Sequence, residues 1–207
     1  MGARKITIGS IKRWRSVKNR VPIIGIDDGG FDRFSLENIK IPVFGVVMKG
    51  SAYVDGITQC QIDKDDPQVT TKIIQMILES SHHPQLQAIF LQGITIGGFG
   101  VLNITELHEK TGIPVIVVLR KYPDYHKIHN ALKKTFPNDD ERWLSIEQAR
   151  KPIKVQEDPL LFLQIAGIHL KDAFLLIKKC TVVGTIPEAL RIAHFIGASN
   201  YRFLNRE

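Results

Sequence analysis

A chain of 207 residues with 43% hydrophobic and 24% charged content can bury one full globular core and leaves room for a second domain only if that domain is very small. No tract is long and apolar enough to span a bilayer, and Cys60 and Cys180 stand far apart outside any Cys-x-x-Cys spacing, which argues against a disulfide framework or a zinc ribbon. The net charge of +7 resides in the first 20 residues, "MGARKITIGSIKRWRSVKNR", which hold seven basic side chains and no acid, while bases and acids cancel over the rest.

That arm is basic but has neither the continuous apolar region nor the small-residue cleavage site of a secretory signal, so a soluble, cytoplasmic protein is expected. Arg13, Arg15 and Lys18, with Trp14 among them, suit sequence-independent and salt-sensitive contacts to the phosphates of a nucleic acid. The same stretch also reads as a solvated edge strand over Lys5 to Ile8 followed by a loop, and both readings stay open. The chain thus divides into a basic arm, 1–20, and a single domain, 21–207.

The first element of that domain is "VPIIGID" (21–27), an apolar run of the kind that forms a buried strand. It stops abruptly at Asp27, Asp28, Gly29 and Gly30. Strand alternation places Val21, Ile23, Gly25 and Asp27 on one face and Ile24, Ile26 and Asp28 on the other, so the two acids are not expected to share one role. "IPVFGVVMKG" (41–50) and "SAYVDGITQCQID" (51–63) meet at Gly50-Ser51 and read as an antiparallel hairpin. Asp66 before Pro67 predicts a helix start, with Val69, Ile73, Ile74 and Ile77 as its apolar stripe as far as about Ser81.

"QAIFLQGI" (87–94) and "IPVIVVLR" (113–120) are two further buried strands. Between them lies "GITIGGFG" (93–100), a Gly-rich loop that lacks the Lys-Ser/Thr of a phosphate-binding Walker loop and the spacing of a dinucleotide fingerprint. Gly97 and Gly98 are expected at positive φ, and Gly93, Gly97, Gly98 and Phe99 could bring backbone N–H groups or a stacking ring against a phosphate or a flipped base; Phe99 reads equally as core. "NITELHEKTG" is a helix capped by Asn103 and stopped at Gly112. "DYHKIHNALKKTF", "DERWLSIEQAR", "HLKDAFLLIKK" and "TIPEALRIAHFIGAS" are four more. His126 and His129 share a helical face, as do Arg191 and His194. The order of strand, hairpin, helix, strand, helix, strand and helices describes an α/β, ribonuclease H-like plan, a mixed sheet with an antiparallel hairpin followed by parallel strands and helices on its flanks. In such a sheet the carboxyl end of the first strand, where Asp27 stands, is where ligands bind.

Taken in order, "GIDDGGF", "VFGVVMKG…VDGI", "IFLQGITIGGFGVLNI", "TGIPVIVVLRKYPD", "IHNALKKTF" and "GTIPEALRIAHFIG" resemble the endonuclease V-like proteins classed as endonuclease dU homologues, over nearly all of the chain after the arm. The resemblance implies a ribonuclease H-like fold and a nuclease dependent on Mg²⁺ or Mn²⁺ that cuts DNA near a deaminated base such as uracil or hypoxanthine. It also implies a metal site: Asp27 matches the family's first metal-binding Asp, and Asp66, with Asp63 and Asp65 beside it, is the nearest acid to the second position. Gln92 stands where the family pattern has the third acid, an Asp before Gly93. An amide oxygen ligates a hard cation without the negative charge that draws it in, so weaker metal binding is expected. His194 matches a family His on the last helix, placed to orient water or phosphate, with Arg191 to neutralise charge. The alternative is a nucleic-acid-binding protein of the same fold whose cleavage is weak or lost because of Gln92.

Overall fold

The structure, a computed structural model, describes residues 19–32 and 39–204. Arg13, Arg15, Lys18, Trp14 and the edge strand expected at Lys5 to Ile8 lie outside the described residues. In chain order the elements are β1 (Pro22–Asp28), β2 (Lys40–Lys49), β3 (Val54–Asp63), α1 (Val69–Glu79), β4 (Ala88–Leu91), β5 (Thr95–Ile96), β6 (Gly100–Val101), α2 (Ile104–Thr111) and β7 (Val115–Leu119). They continue with α3 (Tyr125–Thr135), α4 (Glu141–Gln148), β8 (Ile153–Gln156), β9 (Leu161–Ala166), α5 (Leu170–Cys180) and α6 (Glu188–Leu204). Among the described residues no helix is long and apolar enough to cross a membrane.

Seven strands form one sheet in the order β3-β2-β1-β4-β7-β9-β8, and β5 pairs with β6 in a separate two-stranded ribbon. The β2–β3 hairpin lies antiparallel to β1, whereas β4 and β7 follow β1 in parallel. This is the ribonuclease H-like arrangement that the element order predicts. Four strands escape the sequence reading: the Gly-rich loop holds the short pair β5 and β6, β9 runs antiparallel beside β7, and β8 closes that edge. In "LFLQIA" there is neither alternation nor β-branched enrichment to separate a buried strand from the start of the helix that follows, because its first four residues are covered on both faces.

Burial follows the alternation of β1. Ile24 and Ile26 pack under α1 and α2, together with Ile41, Ile73, Ile77 and Leu107. Val21 and Ile23 face the opposite layer, where α5 and α6 contribute Leu176, Ile177, Leu190 and Ala193. Local chemistry sets the helix ends: the Asn103 side chain accepts from the N–H groups of Thr105 and Glu106, and Gly112 ends α2 in the left-handed region at φ 69°. Helix α1 begins at Val69 and not at Pro67, because Asp66 is drawn into a tight turn in which its Oδ1 accepts from Gln68 N–H at 2.8 Å.

The contact that positions the site is between α6 and β1. A Cβ added at Gly25 would lie 2.4 Å from the backbone of Ala189 and Leu190, and one added at Gly197 would lie 2.4 Å from the Asp28 carbonyl oxygen. Helix and strand therefore touch backbone to backbone at two points, which only glycine permits. Gly25→Ala is expected to push α6 off the sheet and to lower stability by roughly 3 kcal/mol, as overpacking against rigid backbone does. Urea unfolding of the variant measures this, and a midpoint equal to that of the parent would show that the helix can slide at no cost.

Candidate functional site

The carboxyl ends of β1 and β4 open into a cleft of about 580 Å³ lined by Asp27, Asp28, Lys64, Asp65, Gln92 and His194, among others. Asp27 projects from the β1 face covered by α6, and its Oδ2 lies 3.0 Å from His194 Nδ1. With the carboxylate ionised, Nδ1 is the donor and Nε2 is left as the basic nitrogen of the ring. Burial, reinforced by the neighbouring Asp28 carboxylate, pushes the Asp27 carboxyl up to about 6 against the opposing pull of the His194 hydrogen bond. The carboxylate thus sits where its charge is costly and where an added cation would relieve it.

Asp28 points to the other face, as alternation predicts, and accepts a hydrogen bond from Gly97 N–H. The Gly97-Gly98 turn is the tip of the β5–β6 ribbon, with φ at 63° and 96°, and Gly93 takes φ 108°. It is tied to the β3–α1 connection as well. Asp65 N–H donates to the Gly97 carbonyl at 2.8 Å, and Asp65 Oδ1 accepts from Phe99 N–H at 2.6 Å. Above both sits Arg142, buried on α4, whose guanidinium donates to the Asp65 carbonyl at 2.7 Å, to the Phe99 carbonyl, and to Asp139 at 2.7 Å. Phe136 lies 4.3 Å beneath that guanidinium and meets the Phe99 ring edge-on.

A second cavity of about 360 Å³ adjoins the first and shares Gln92, Thr95, Gly98 and Phe99 with it. Its walls are mostly apolar, built from Ile94, Leu119, Ile128, Leu132 and Ile146, with Gly93 at the rim and the amide of Gln164 among the polar groups. An acidic cleft that adjoins an apolar pocket has the character of a ligand site, with polar groups few and placed.

The structure brings together Asp27, Gln92, His194, Gly93, Gly98 and Phe99 in these two adjoining spaces; Gly97 packs against Ile62 just behind them, and two further predicted residues lie elsewhere. Asp66 is buried away from the cleft: Lys72 Nζ donates to it at 2.6 Å and the Asp63 and Gln68 N–H groups complete its shell. Burial alone would raise its carboxyl, but these partners hold it below the usual range. Asp65, and not Asp66, is the acid of this connection that lines the cleft, because the chain turns through a left-handed φ of 55° at Asp65. Arg191 is likewise outside the cleft lining, bound to Glu188 at 2.9 Å one turn earlier on the same helix. His129 packs against Trp143 and His126 contacts Asn130, so that pair is a surface feature. Arg142 and Gln164 were not legible as site residues, since one looks like a charged position on an amphipathic helix and the other lies in the strand that periodicity missed. Among the described residues no three His, Cys, Asp or Glu side chains converge to hold a metal ion.

A family model described as endonuclease dU matches residues 19–200 of the chain. A UPF0215 protein of Methanothermobacter thermautotrophicus is 40% identical over 185 residues, covering 89% of this chain and 90% of its own length. The crystal structure of a protein of unknown function from Archaeoglobus fulgidus superposes with a TM-score of 0.77 at 33% identity, covering 86% of this chain and 97% of that one. At the level of the fold alone, the chain is similar to endonuclease V of Ciona intestinalis, solved with a 24mer DNA containing an inosine, with a TM-score of 0.58 at 13% identity over 89% of this chain and 87% of that one.

The raised Asp27 carboxyl has a measurable consequence. The unfolded chain releases this proton near pH 4 and the folded chain near pH 6, so the folded state binds the proton more tightly and stability falls as pH rises through that window. Asp27→Asn should abolish the fall. The variant is expected to match the parent near pH 4 and to exceed it above pH 6 by roughly 1–3 kcal/mol. Thermal unfolding of both proteins across pH 4 to 7.5 checks this, and parallel curves would refute the strained carboxylate.

Proposed function

The chain belongs to the endonuclease dU family, and on that premise we propose that it is a metal-dependent endonuclease that hydrolyses a DNA phosphodiester near a deaminated base such as uracil or hypoxanthine. The observation that carries this reading is the juxtaposition of the Asp27–His194 pair with the apolar cavity, which offers a place for the reacting phosphate and another for a base withdrawn from the stack.

The cleft's donors are hard oxygens, and Mg²⁺ is commonly held by one or two carboxylates with substrate phosphate and water completing its shell. Asp27, with its charge raised in energy by burial and by Asp28, fits that need, for Mg²⁺ or for Mn²⁺. Asp27 and the Gln92 amide oxygen would hold the ion, with Asp65 replacing Asp66 as the nearby acid. Such an ion, when bound, polarises the phosphate and lowers the pKa of a water molecule. His194 is oriented by its Nδ1 contact to Asp27 and uses Nε2 to position the attacking water and take up its proton. Gly93, where an added Cβ would meet nothing within 4 Å, lets a nucleotide approach the backbone closely, and Phe99 borders both spaces. Positive charge in residues 1–20, including Arg13, Arg15 and Lys18, supplies the salt-sensitive attraction to the phosphate chain.

A second reading is a protein that binds such DNA without cutting it, and Gln92, a neutral group at the mouth of the cleft, favours it. End-labelled single strands and duplexes carrying one uracil, hypoxanthine or xanthine separate the two when incubated with Mg²⁺, Mn²⁺ or EDTA. Metal-dependent nicking that drops about 100-fold or more in Asp27→Ala supports the nuclease. Gln92→Asp should then raise cleavage by strengthening metal binding. Binding that falls with salt, with no nicking from either the parent or Gln92→Asp, would leave the second reading in its place.

A further inference from the structure

Gln164 is a buried primary amide in the wall of the apolar cavity, and its packing accounts for only one end of it. It lies on β9 opposite Val117 of β7, in a row that continues to Leu91 of β4, and both neighbours are fully buried. At 4% exposure it is a primary amide in a core position, which is costly unless its groups are satisfied. The nitrogen end is satisfied: Nε2 donates to the Arg150 carbonyl at 2.6 Å and to the Ala149 carbonyl at 3.4 Å, where the chain leaves α4. The short bond to the Arg150 carbonyl anchors the nitrogen end of the amide. What Gln164 can offer to a molecule in the cavity it lines is therefore an acceptor, Oε1, held in a set direction.

A fixed acceptor in an apolar pocket selects a ligand with an N–H donor and penalises one that brings a second lone pair. Deamination makes that change on a base. The ring nitrogen of adenine or cytosine between the amino-bearing carbon and its neighbour is an acceptor, and in hypoxanthine or uracil it becomes an N–H beside a new carbonyl, a lactam. We propose that Gln164 is a specificity-determining residue whose Oε1 accepts the lactam N–H of a base seated in the cavity. The inference rests on the reading that the cavity receives a base, but not on whether the protein cuts. Guanine and thymine carry the same N–H, so Gln164 reads the lactam and does not by itself exclude those two bases.

The test is binding in EDTA, where cleavage cannot intervene, to short single strands bearing one central hypoxanthine, unsubstituted purine or adenine, followed by fluorescence anisotropy. Purine has the shape of the ring system but an acceptor in place of the lactam N–H. The parent is expected to prefer hypoxanthine over purine by about 10-fold, the worth of one hydrogen bond to a buried acceptor. Gln164→Met, which keeps the volume, should bring that ratio to within twofold while affinity for the adenine strand holds. A folded Met variant that keeps the full preference overturns the assignment. So does a parent indifferent between hypoxanthine and purine, a result that needs no variant. Hypoxanthine preference without any nicking in the cleavage assay supports the role of Gln164 and removes only the nuclease, whereas nicking without the preference overturns the role of Gln164 and leaves the nuclease standing.

Discussion

The contact between α6 and β1 sets the geometry on which everything else in the cleft depends. Two glycines, Gly25 on the strand and Gly197 on the helix, remove the side chains that would otherwise hold the two backbones apart. Gly30 N–H donating to the Gly197 carbonyl at 3.3 Å continues the seam beyond the end of the strand. Because α6 is pressed so close, a side chain one turn past Leu190 reaches the carboxyl end of β1, and this is how His194 comes to touch Asp27. A helix held at ordinary distance by an alanine at position 25 would carry the imidazole out of hydrogen-bond range. Close packing here is the means by which two residues 167 positions apart in sequence become a chemical pair.

The other side of the sheet is organised by charge. Asp28 and Asp65 each receive an N–H from the Gly-rich turn, and Arg142 joins the Phe99 carbonyl of that turn to the Asp65 carbonyl of the β3–α1 connection. The adjacent acids of β1 thus belong to different structures: Asp27 to the α6 seam and Asp28 to the turn. Pleating alone divides them, since successive side chains of a strand leave on opposite faces. Gln92, just past the end of β4, lies where these two halves and the apolar cavity meet.

How much of this could be read from the residues follows from which forces act locally. Strands β1, β4 and β7 are continuous apolar runs bounded by breakers, and α2 is bracketed by a capping Asn and a terminating Gly, so each is written in its own segment. Asp27, His194 and the glycine turn were visible because strand alternation, resemblance and the needs of positive φ point to particular positions. Asp65 and Asp66 could not be told apart, since which of two neighbouring acids faces the cleft depends on a backbone dihedral at Asp65 that neither sequence nor periodicity carries. Arg142 and Arg191 look alike in their helices, yet one is buried against two loop carbonyls and the other is held by Glu188. That difference is tertiary.

The turn that borders both cavities has a property beyond its shape. Two of its amides, at Gly97 and Phe99, are held by carboxylates and not by the backbone of a sheet. Charge-assisted bonds of this kind weaken when the acceptor is protonated or shared with another positive partner. A divalent cation drawn to Asp28 or Asp65 would compete with these N–H groups for the same oxygens, so its affinity and the ordering of the turn are thermodynamically linked, each shifting the other by an equal free energy. A rim held in this way would loosen or firm with the charge state of the acidic cleft beside it.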